Sequence, residues 1–234
     1  GVERSILVAV VRSVVQLLIV GAGLDFVIDP DTPLAWSWAW VIWIVFFSSI
    51  TVQRRAPAVP GLFGIALLAN GAAAAVALGV AFGLGIFPLE ARALVPISGM
   101  IVGNSMNSAV VASQRLVDEL AARSPEVEAR LALGQAPADA VRPYVRSVLR
   151  TAITPQIETT KALGIVFLPG AMTGLILAGV EPLDAVLVQL AIMFLILGSV
   201  VTVSTVTAVA GARRLFTADE RLVPLLRDPD RAQP

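Results

Sequence analysis

The chain has 234 residues, of which 57% are hydrophobic and 15% charged, and its mean hydropathy is +0.84. Soluble domains carry about 25% charged residues, so this composition predicts an integral membrane protein with no nucleic-acid partner. Cysteine and histidine are absent, which excludes disulfides, zinc sites of the usual ligand types and histidine acid–base catalysis. A metal handled by this protein must therefore meet oxygen ligands or methionine sulfur.

Six apolar runs are long enough, or nearly so, for transmembrane helices, which need about 20 residues. They are residues 6–28, 34–52, 61–87, 91–112, 163–180 and 185–210. The pattern predicts an all-α, polytopic fold. We expect four spans in residues 1–112, a cytoplasmic coupling segment at 113–162 and two further spans in 163–211. A cytoplasmic tail is expected at 212–234, and it is expected to be mobile from residue 217. Since Gly1 is not Met and a span follows almost at once, we expect a seventh span upstream.

The basic residues predict how the spans are oriented. If residue 1 is cytoplasmic, 16 of the 17 Lys and Arg residues lie on the inner side and Arg92 alone lies outside. Positive residues concentrate on the cytoplasmic side of membrane proteins. We therefore expect an inner (plasma) membrane protein with both ends of this chain in the cytoplasm.

The chain carries no nucleotide-binding motif. A phosphate-binding P-loop needs a lysine directly after its glycine turn. Lys161 is the only lysine, and it lies in the sequence ETTKALG. We expect no catalytic residues and no cofactor in this chain, so any ATP and Mg must be bound by a partner subunit.

Three pairs of glycines are spaced four residues apart, at 79 and 83, at 99 and 103, and at 170 and 174. This spacing places both glycines on one helix face, where a second helix can approach closely. Two interpretations are open: packing within the subunit, or an interface between subunits.

The coupling segment is expected to contain two helices. Ser124 and Pro125 favour a helix start and Gly134 a stop, which predicts a short amphipathic helix at 125–133. A second helix is expected from Pro137 to about residue 153, bent at Pro143. Its arginines, spaced four apart, form one basic stripe: Arg142, Arg146 and Arg150. The stripe fits either lipid head groups or a cytosolic partner.

Two regions of the chain resemble transport permeases. Glu128, Ala129, Gly134 and Pro137 resemble the EAA loop of ABC importer permeases, although the later proline of that pattern falls sooner than Pro155. Residues 96–106, 128–137 and 155–179, with Arg12 and Gln16, together resemble the FetB/YbbM family of ABC permeases. A departure is that Glu158 stands where the family often has Asp.

The resemblance implies a homodimeric permease that works with two copies of a cytosolic ABC ATPase, exports iron, and has relatives in plant aluminium tolerance. It implies that the ATPase contacts Glu128, Ala129, Gly134 and Pro137, and we expect Arg142 and Arg146 to lie beside them. ATP and Mg would be bound by that partner.

Polar and thioether groups at membrane depth are candidates for a substrate path: Gln16, Met100, Asn104, Met106 and Asn107. Asn104 and Asn107 lie one turn apart and form a face of the fourth span with Met100. Interhelical hydrogen bonding is the alternative interpretation.

Glu158 and Lys161 share a helix face and are expected near the cytoplasmic mouth. They fit either a structural ion pair with a snorkelling lysine, or an inner gate that cations pass. Glu158 and Met100 are the candidate metal ligands.

The sequence thus favours the permease subunit of an ABC transporter that exports metal ions such as iron. The first alternative is an ABC permease for a sugar nucleotide or a lipid. The second is a secondary transporter or channel that needs no ATPase, although no internal repeat or mid-depth carboxylate is evident.

Overall fold

The computed structural model describes residues 2–29, 31–164, 168–217 and 219–225. In these ranges the chain forms α-helices joined by turns and loops, which confirms the predicted all-α class. The helices are α1 (Val2–Ile28), α2 (Leu34–Arg55), α3 (Leu62–Gly83), α4 (Ala91–Ala122), α5 (Ser124–Ala132), α6 (Pro137–Ala162), α7 (Gly170–Leu177) and α8 (Pro182–Arg214).

Five described helices are long and apolar enough to cross a membrane: Val10–Ile28 of α1, and α2, α3, α4 and α8. The polytopic character expected from composition is thereby supported. Two of them, α4 and α8, form the centre of the bundle and pack against each other. They contain 32 and 33 residues, or about 48 Å at 1.5 Å per residue, so each is longer than a hydrocarbon core of about 30 Å.

The two ends of the bundle differ in charge. At the arginine-rich end, the Gln114 amide of α4 donates to the Arg55 carbonyl of α2 at 2.7 Å. This end carries Arg54, Arg55, Arg115, Arg213 and Arg214. The acidic end carries Asp25, Asp29, Asp31, Glu90, Glu181 and Asp184, with Arg92.

The predicted span at 163–180 is not a continuous membrane-length helix, which corrects the six-span prediction. The described helix in this range, α7, has eight residues and therefore a length of about 12 Å. Gly164 and Gly179 have φ of +79° and +89°, a left-handed conformation that ends helices. Pro169 stands just before α7 and disfavours helix at the residue before it. Residues 165–167 lie outside the described residues.

The helix preceding this break is longer than expected. We predicted an end near residue 153, but α6 continues through Pro155 to Ala162. Proline removes only one backbone hydrogen bond from a helix, and packing can compensate for that loss. The polar residues 154–162 therefore belong to α6.

The segment after α8 turns back onto the bundle instead of leaving it. An isolated antiparallel bridge joins Phe216 to Leu222, which is 8% exposed, and Leu225 packs against the apolar core. The mobile tail expected from residue 217 is thus anchored as far as residue 225. Residues 226–234 lie outside the described residues.

Candidate functional site: a polar face on α4 and α6

Helix α6 docks on the bundle through one apolar stripe. Its buried residues are spaced three and four apart: Ala140, Val141, Tyr144, Val145, Val148 and Ala152. They pack against α4 and α8 around Leu116 and Leu120, which are fully buried. The stripe continues past Ala152 with the half-buried residues Ile153, Gln156 and Thr160. Therefore α6 stays beside the bundle beyond Pro155.

A hydroxyl pair fixes the register of α6 along the bundle. The Ser108 hydroxyl of α4 donates to the Ala152 carbonyl of α6 at 3.0 Å, and its oxygen lies 2.6 Å from the Ser204 hydroxyl oxygen of α8. Near the arginine-rich end, Ala140 and Tyr144 belong to the same cluster as Leu116 and Leu120. Thus α6 runs antiparallel to α4 and leads away from the arginine-rich end.

This register places Glu158 deep along the bundle. Ser108 is six residues from Gln114, or about 9 Å along α4. Glu158 is six residues beyond Ala152, or about another 9 Å along α6. Glu158 therefore lies about 18 Å from the arginine-rich end, and not at that end of the bundle as the sequence led us to expect.

Glu158 and Lys161 form an ion pair on the open side of α6. The Lys161 Nζ donates to Glu158 Oε1 at 2.9 Å, and the two side chains are 66% and 61% exposed, respectively. Both therefore project from the surface of a single copy of the chain. The expected juxtaposition on one helix face is confirmed, whereas its role stays a prediction.

The predicted polar face of α4 divides into exposed amides and packed methionines. Asn104 and Asn107 are exposed, and the Asn104 amide donates to the Met100 carbonyl at 2.7 Å. Met100 and Met106 are half-buried against apolar clusters. Four residues separate Asn104 from Ser108 and Gln156 from Ala152, so Asn104 and Gln156 lie at similar depth. The polar faces of α4 and α6 are thus level with each other.

The spaced glycines do not pack against helices of the same chain. A Cβ added at Gly99 or Gly103 would meet no atom within 4 Å, and the same holds for the pairs in α3 and α7. Packing within the subunit therefore does not explain these glycines among the described residues. The α4 pair adds a small, open surface beside Asn104.

Gln16, the remaining path candidate, stands apart. Gln16 and Arg12 are exposed on α1. Among the described residues of α1, the one that is buried is Val27, near the C-terminal end of the helix. The Ser37 hydroxyl of α2 donates to the Val27 carbonyl at 3.4 Å there. The structure therefore places Gln16 away from the packed part of the bundle.

At the arginine-rich end, α5 is anchored while its predicted coupling residues are open. Val127 is fully buried, and Glu126 accepts hydrogen bonds from Tyr144 and Arg123, each at 2.8 Å. These two donors, Tyr144 before Arg123, hold the pKa of Glu126 below its ordinary value. The exposed members of the predicted coupling set are Glu128, Ala129, Gly134, Arg142 and Arg146, and Pro137 is half-buried. Sequence reasoning did not single out Leu133, which is 83% exposed.

A cavity of about 650 Å³ opens beside the start of α6 and the end of α8. Pro137, Arg142 and Arg146 line it, with Val209 and Phe216 among its apolar walls. Three of the residues predicted to contact a partner thus share one concave surface. Charged rims around apolar walls suit the docking of another protein.

The sequence also gave no signal for the Ser108–Ser204 contact, since serines are common in packed membrane helices. Four further polar side chains of the helices carry buried atoms in the bundle. Among the described residues, Asn70 Oδ1, Ser105 Oγ, Gln189 Oε1 and Thr207 Oγ1 have no hydrogen-bond partner. These atoms lie in the interior of the bundle, away from the exposed face.

The described residues contain no group of three or more carboxylate, histidine or cysteine side chains that could hold a metal ion. Of the two candidate metal ligands, Glu158 is paired with Lys161 and Met100 packs in an apolar cluster. A preformed carboxylate cage is therefore not present in the described part of one copy.

Comparisons with known proteins place this chain in a family. The family described as "Uncharacterised protein family (UPF0014)" matches residues 1–216. The UPF0014 membrane protein YjkA of Bacillus subtilis is 34% identical over 222 residues, covering 95% of this chain and 88% of YjkA. No solved structure matches the chain.

Two further relatives have names that indicate a role. The protein ALUMINUM SENSITIVE 3 of Arabidopsis thaliana is 32% identical, over 89% of this chain and 76% of its own length. The probable iron export permease protein FetB of Escherichia coli is 28% identical, over 95% of this chain and 86% of its own length. The resemblance seen in residues 96–106, 128–137 and 155–179 is thereby confirmed, and the chain belongs to the UPF0014 family of membrane proteins.

Proposed function

We propose that this chain is the membrane-spanning permease subunit of an ABC transporter that exports metal ions such as iron. It works as a homodimer in the inner (plasma) membrane, and a separate cytosolic subunit binds ATP and Mg. The observation that carries the proposal is a set of exposed polar side chains that lie at similar depth on α4 and α6: Asn104, Asn107, Glu158 and Lys161.

The depth of this face in the membrane is the first argument. With the arginine-rich end at the cytoplasmic boundary, as positive residues favour, Glu158 lies about 18 Å inward, close to the middle of a hydrocarbon core of about 30 Å. Charged side chains at that depth are costly in lipid and face protein or water. The face of α4 and α6 is therefore covered by a second copy of the chain and encloses a polar path.

The other exposed surfaces fit lipid. They carry large apolar side chains from α1, α2, α3 and α8, such as Leu18, Phe46, Leu68 and Phe194. One side of the subunit thus suits the bilayer and the other suits a partner copy. The open glycines Gly99 and Gly103 let that copy approach α4 closely.

The break between α6 and α7 is the second argument. Here α6 rises from the arginine-rich end, and α7 follows it toward α8, whose first residue is Pro182. Together they form a sixth, discontinuous crossing, which replaces the predicted span at 163–180. Interrupted helices at membrane depth persist where their free backbone groups face a cavity or a substrate, as in many transporters.

The arginine-rich end supplies the surface for the ATPase. The exposed Leu133 at the end of α5 and the cavity lined by Arg142 and Arg146 face the cytoplasm in this orientation. Tyr144 links α5 to α6 through Glu126. A movement of α5 driven by the ATPase is therefore transmitted to α6, which carries Glu158.

The substrate class rests on the relative named as a probable iron export permease. The experiment is to isolate the full-length protein from its native source, identify an ATPase that accompanies it, and prepare inside-out vesicles that contain both. ATP-dependent uptake of Fe²⁺ supports the proposal. Absence of an accompanying ATPase, or uptake of a sugar nucleotide or lipid in place of Fe²⁺, contradicts it.

A variant pair connects transport to the polar face. Asn104→Leu is expected to lower the transport rate because it removes an exposed amide from that face. The control is Thr202→Val on α8, where the hydroxyl donates to the Gly198 carbonyl of its own helix at 2.8 Å. Equal rates for both variants would argue against the face as the path.

A further inference from the structure

We propose that Glu158 is the carboxylate that binds the transported cation within the membrane, and that Lys161 is a built-in counter-ion that occupies this carboxylate between transport events. The proposal rests on the permease function above and adds the residue that holds the substrate.

The geometry of the pair leaves room for a ligand. Lys161 Nζ contacts Glu158 Oε1 at 2.9 Å, and in the described part of the chain this is the one side-chain partner of the carboxylate. An ionised carboxylate offers about four acceptor positions on two oxygens. With a side-chain exposure of 61% in one copy, Glu158 is open to a second ligand from the polar path.

A second ion pair in the same chain differs from this one because its carboxylate has another side-chain partner. Arg123 and Glu126 have the same spacing and a similar distance, 2.8 Å, with exposures of 53% and 52%. There the carboxylate also accepts a bond from Tyr144, which ties α5 to α6. Glu126 thus makes a tertiary contact at the arginine-rich end. Among the described residues, Glu158 makes no side-chain contact with another helix.

The identity of the cationic partner supports a displaceable counter-ion. The chain has 17 basic residues, and all except Lys161 are arginine. Arginine holds a carboxylate through a rigid, bidentate fork, whereas a lysine ammonium is a point charge on a flexible stem. Lysine is therefore the residue that an incoming cation can displace from Glu158.

The site favours a divalent or trivalent metal cation with oxygen ligands. Hard cations of this kind take oxygen ligands, and the Glu158 carboxylate supplies them. The described residues contain no cluster of three or more carboxylate, histidine or cysteine side chains. One copy therefore supplies only part of a coordination shell. The second copy, related by two-fold symmetry, brings its own carboxylate to the shared path.

The test uses carbodiimide labelling of the full-length protein in proteoliposomes, read by mass spectrometry of the peptide that contains residue 158. A membrane-soluble reagent, dicyclohexylcarbodiimide, is expected to modify Glu158, and Fe²⁺ is expected to protect it. Glu126 is the matched control: a water-soluble carbodiimide modifies it, and Fe²⁺ gives no protection. Labelling of Glu158 that Fe²⁺ does not reduce would overturn the proposal.

Substitution of the counter-ion gives the decisive comparison. In Lys161→Met the competing charge is gone, so the Fe²⁺ concentration for half-protection falls by about tenfold, a change that corresponds to about 1.4 kcal/mol. Lys161→Arg puts a bidentate fork in place of the point charge and is expected to raise this concentration, so it tests the counter-ion role even if Lys161→Met does not fold. An unchanged concentration in Lys161→Met, or an unchanged or lower concentration in Lys161→Arg, contradicts the counter-ion role.

This assay needs neither an ATPase nor transport. Protection of Glu158 in a protein that fails the vesicle experiment would refute the proposed transporter and leave the cation site standing. Transport of Fe²⁺ without protection would refute the site alone.

Discussion

The hydroxyl oxygens of Ser108 and Ser204 lie 2.6 Å apart and join α4 to α8, while the Ser108 hydroxyl also reaches the Ala152 carbonyl of α6. This contact holds three helices in one register. It sets the depth of the α6 residues that follow, including Glu158.

Removing the Ser108 hydroxyl is expected to loosen α6. Interhelical hydrogen bonds in membrane proteins contribute about 0.6 kcal/mol each and up to about 1.7 kcal/mol, so Ser108→Ala should lower the free energy of unfolding by about 1–2 kcal/mol. Unfolding in mixed detergent micelles measures this change. Ser204→Ala should cost less, and the double variant should cost less than both single changes added together.

Gly211 is expected to tolerate a branched side chain poorly, unlike another glycine of the same helix. A Cβ at Gly211 would lie 3.1 Å from Leu116 Cδ2 and 3.6 Å from Val59 Cγ1, and both of these residues are buried. Gly211→Val should therefore destabilise the protein by about 1–3 kcal/mol through overpacking. Gly198 meets no atom within 4 Å, so Gly198→Ala should be neutral or stabilising. The same unfolding measurement compares them, and equal losses would contradict the packing argument.

The contact between α5 and α6 is expected to depend on pH. The pKa of Glu126 is lowered by Tyr144 first and by Arg123 next. A carboxyl with a lowered folded-state pKa stabilises the fold above its unfolded pKa, and the stabilisation is lost as the pH falls through the folded value. Amide hydrogen exchange in α5 should therefore accelerate only at acidic pH, below the ordinary glutamate pKa.

Tyr144→Phe provides the check on this dependence. It removes the larger cause of the lowered pKa of Glu126, so the folded-state pKa moves toward its ordinary value and the acid-dependent part of the exchange should be smaller than in the wild type. An unchanged pH profile would show that the Tyr144 bond does not hold α5.

Leu133 is expected to contact the ATPase. It is 83% exposed at the end of α5, so Leu133→Ala should leave the stability nearly unchanged while reducing co-purification of the ATPase. Leu177, in α7, is also 83% exposed but lies outside the arginine-rich end. Leu177→Ala is therefore the control, and equal recovery of the ATPase with both variants would exclude Leu133 from the interface.

The cavity lined by Arg142 and Arg146 is expected to contribute charge to the same interface. Arg146→Ala should weaken ATPase binding more at low salt than at high salt, because salt screens exposed charges. Pull-down experiments at two ionic strengths measure this difference. Arg92, at the acidic end, offers a matched arginine whose substitution should have no effect on binding.

Residue types and their spacing alone predicted the apolar helices, the charge difference between the two ends, and the break at Gly134. These features are local, since hydrophobic runs and left-handed glycines act through nearest neighbours along the chain. The shared helix face of Glu158 and Lys161 followed from their spacing in the same way.

Only the tertiary structure decided how deep α6 lies and where it ends. Its composition is too polar for a predicted span, and Pro155 favoured an early stop. The packing of Ala140–Ala152 against α4 and α8 supplied the stabilisation that the local sequence lacks. Burial against distant residues overrides local propensity because it depends on side chains that are far apart in sequence. The placement of Glu158 at about 18 Å from the arginine-rich end is a result of that packing and of the Ser108–Ala152 register.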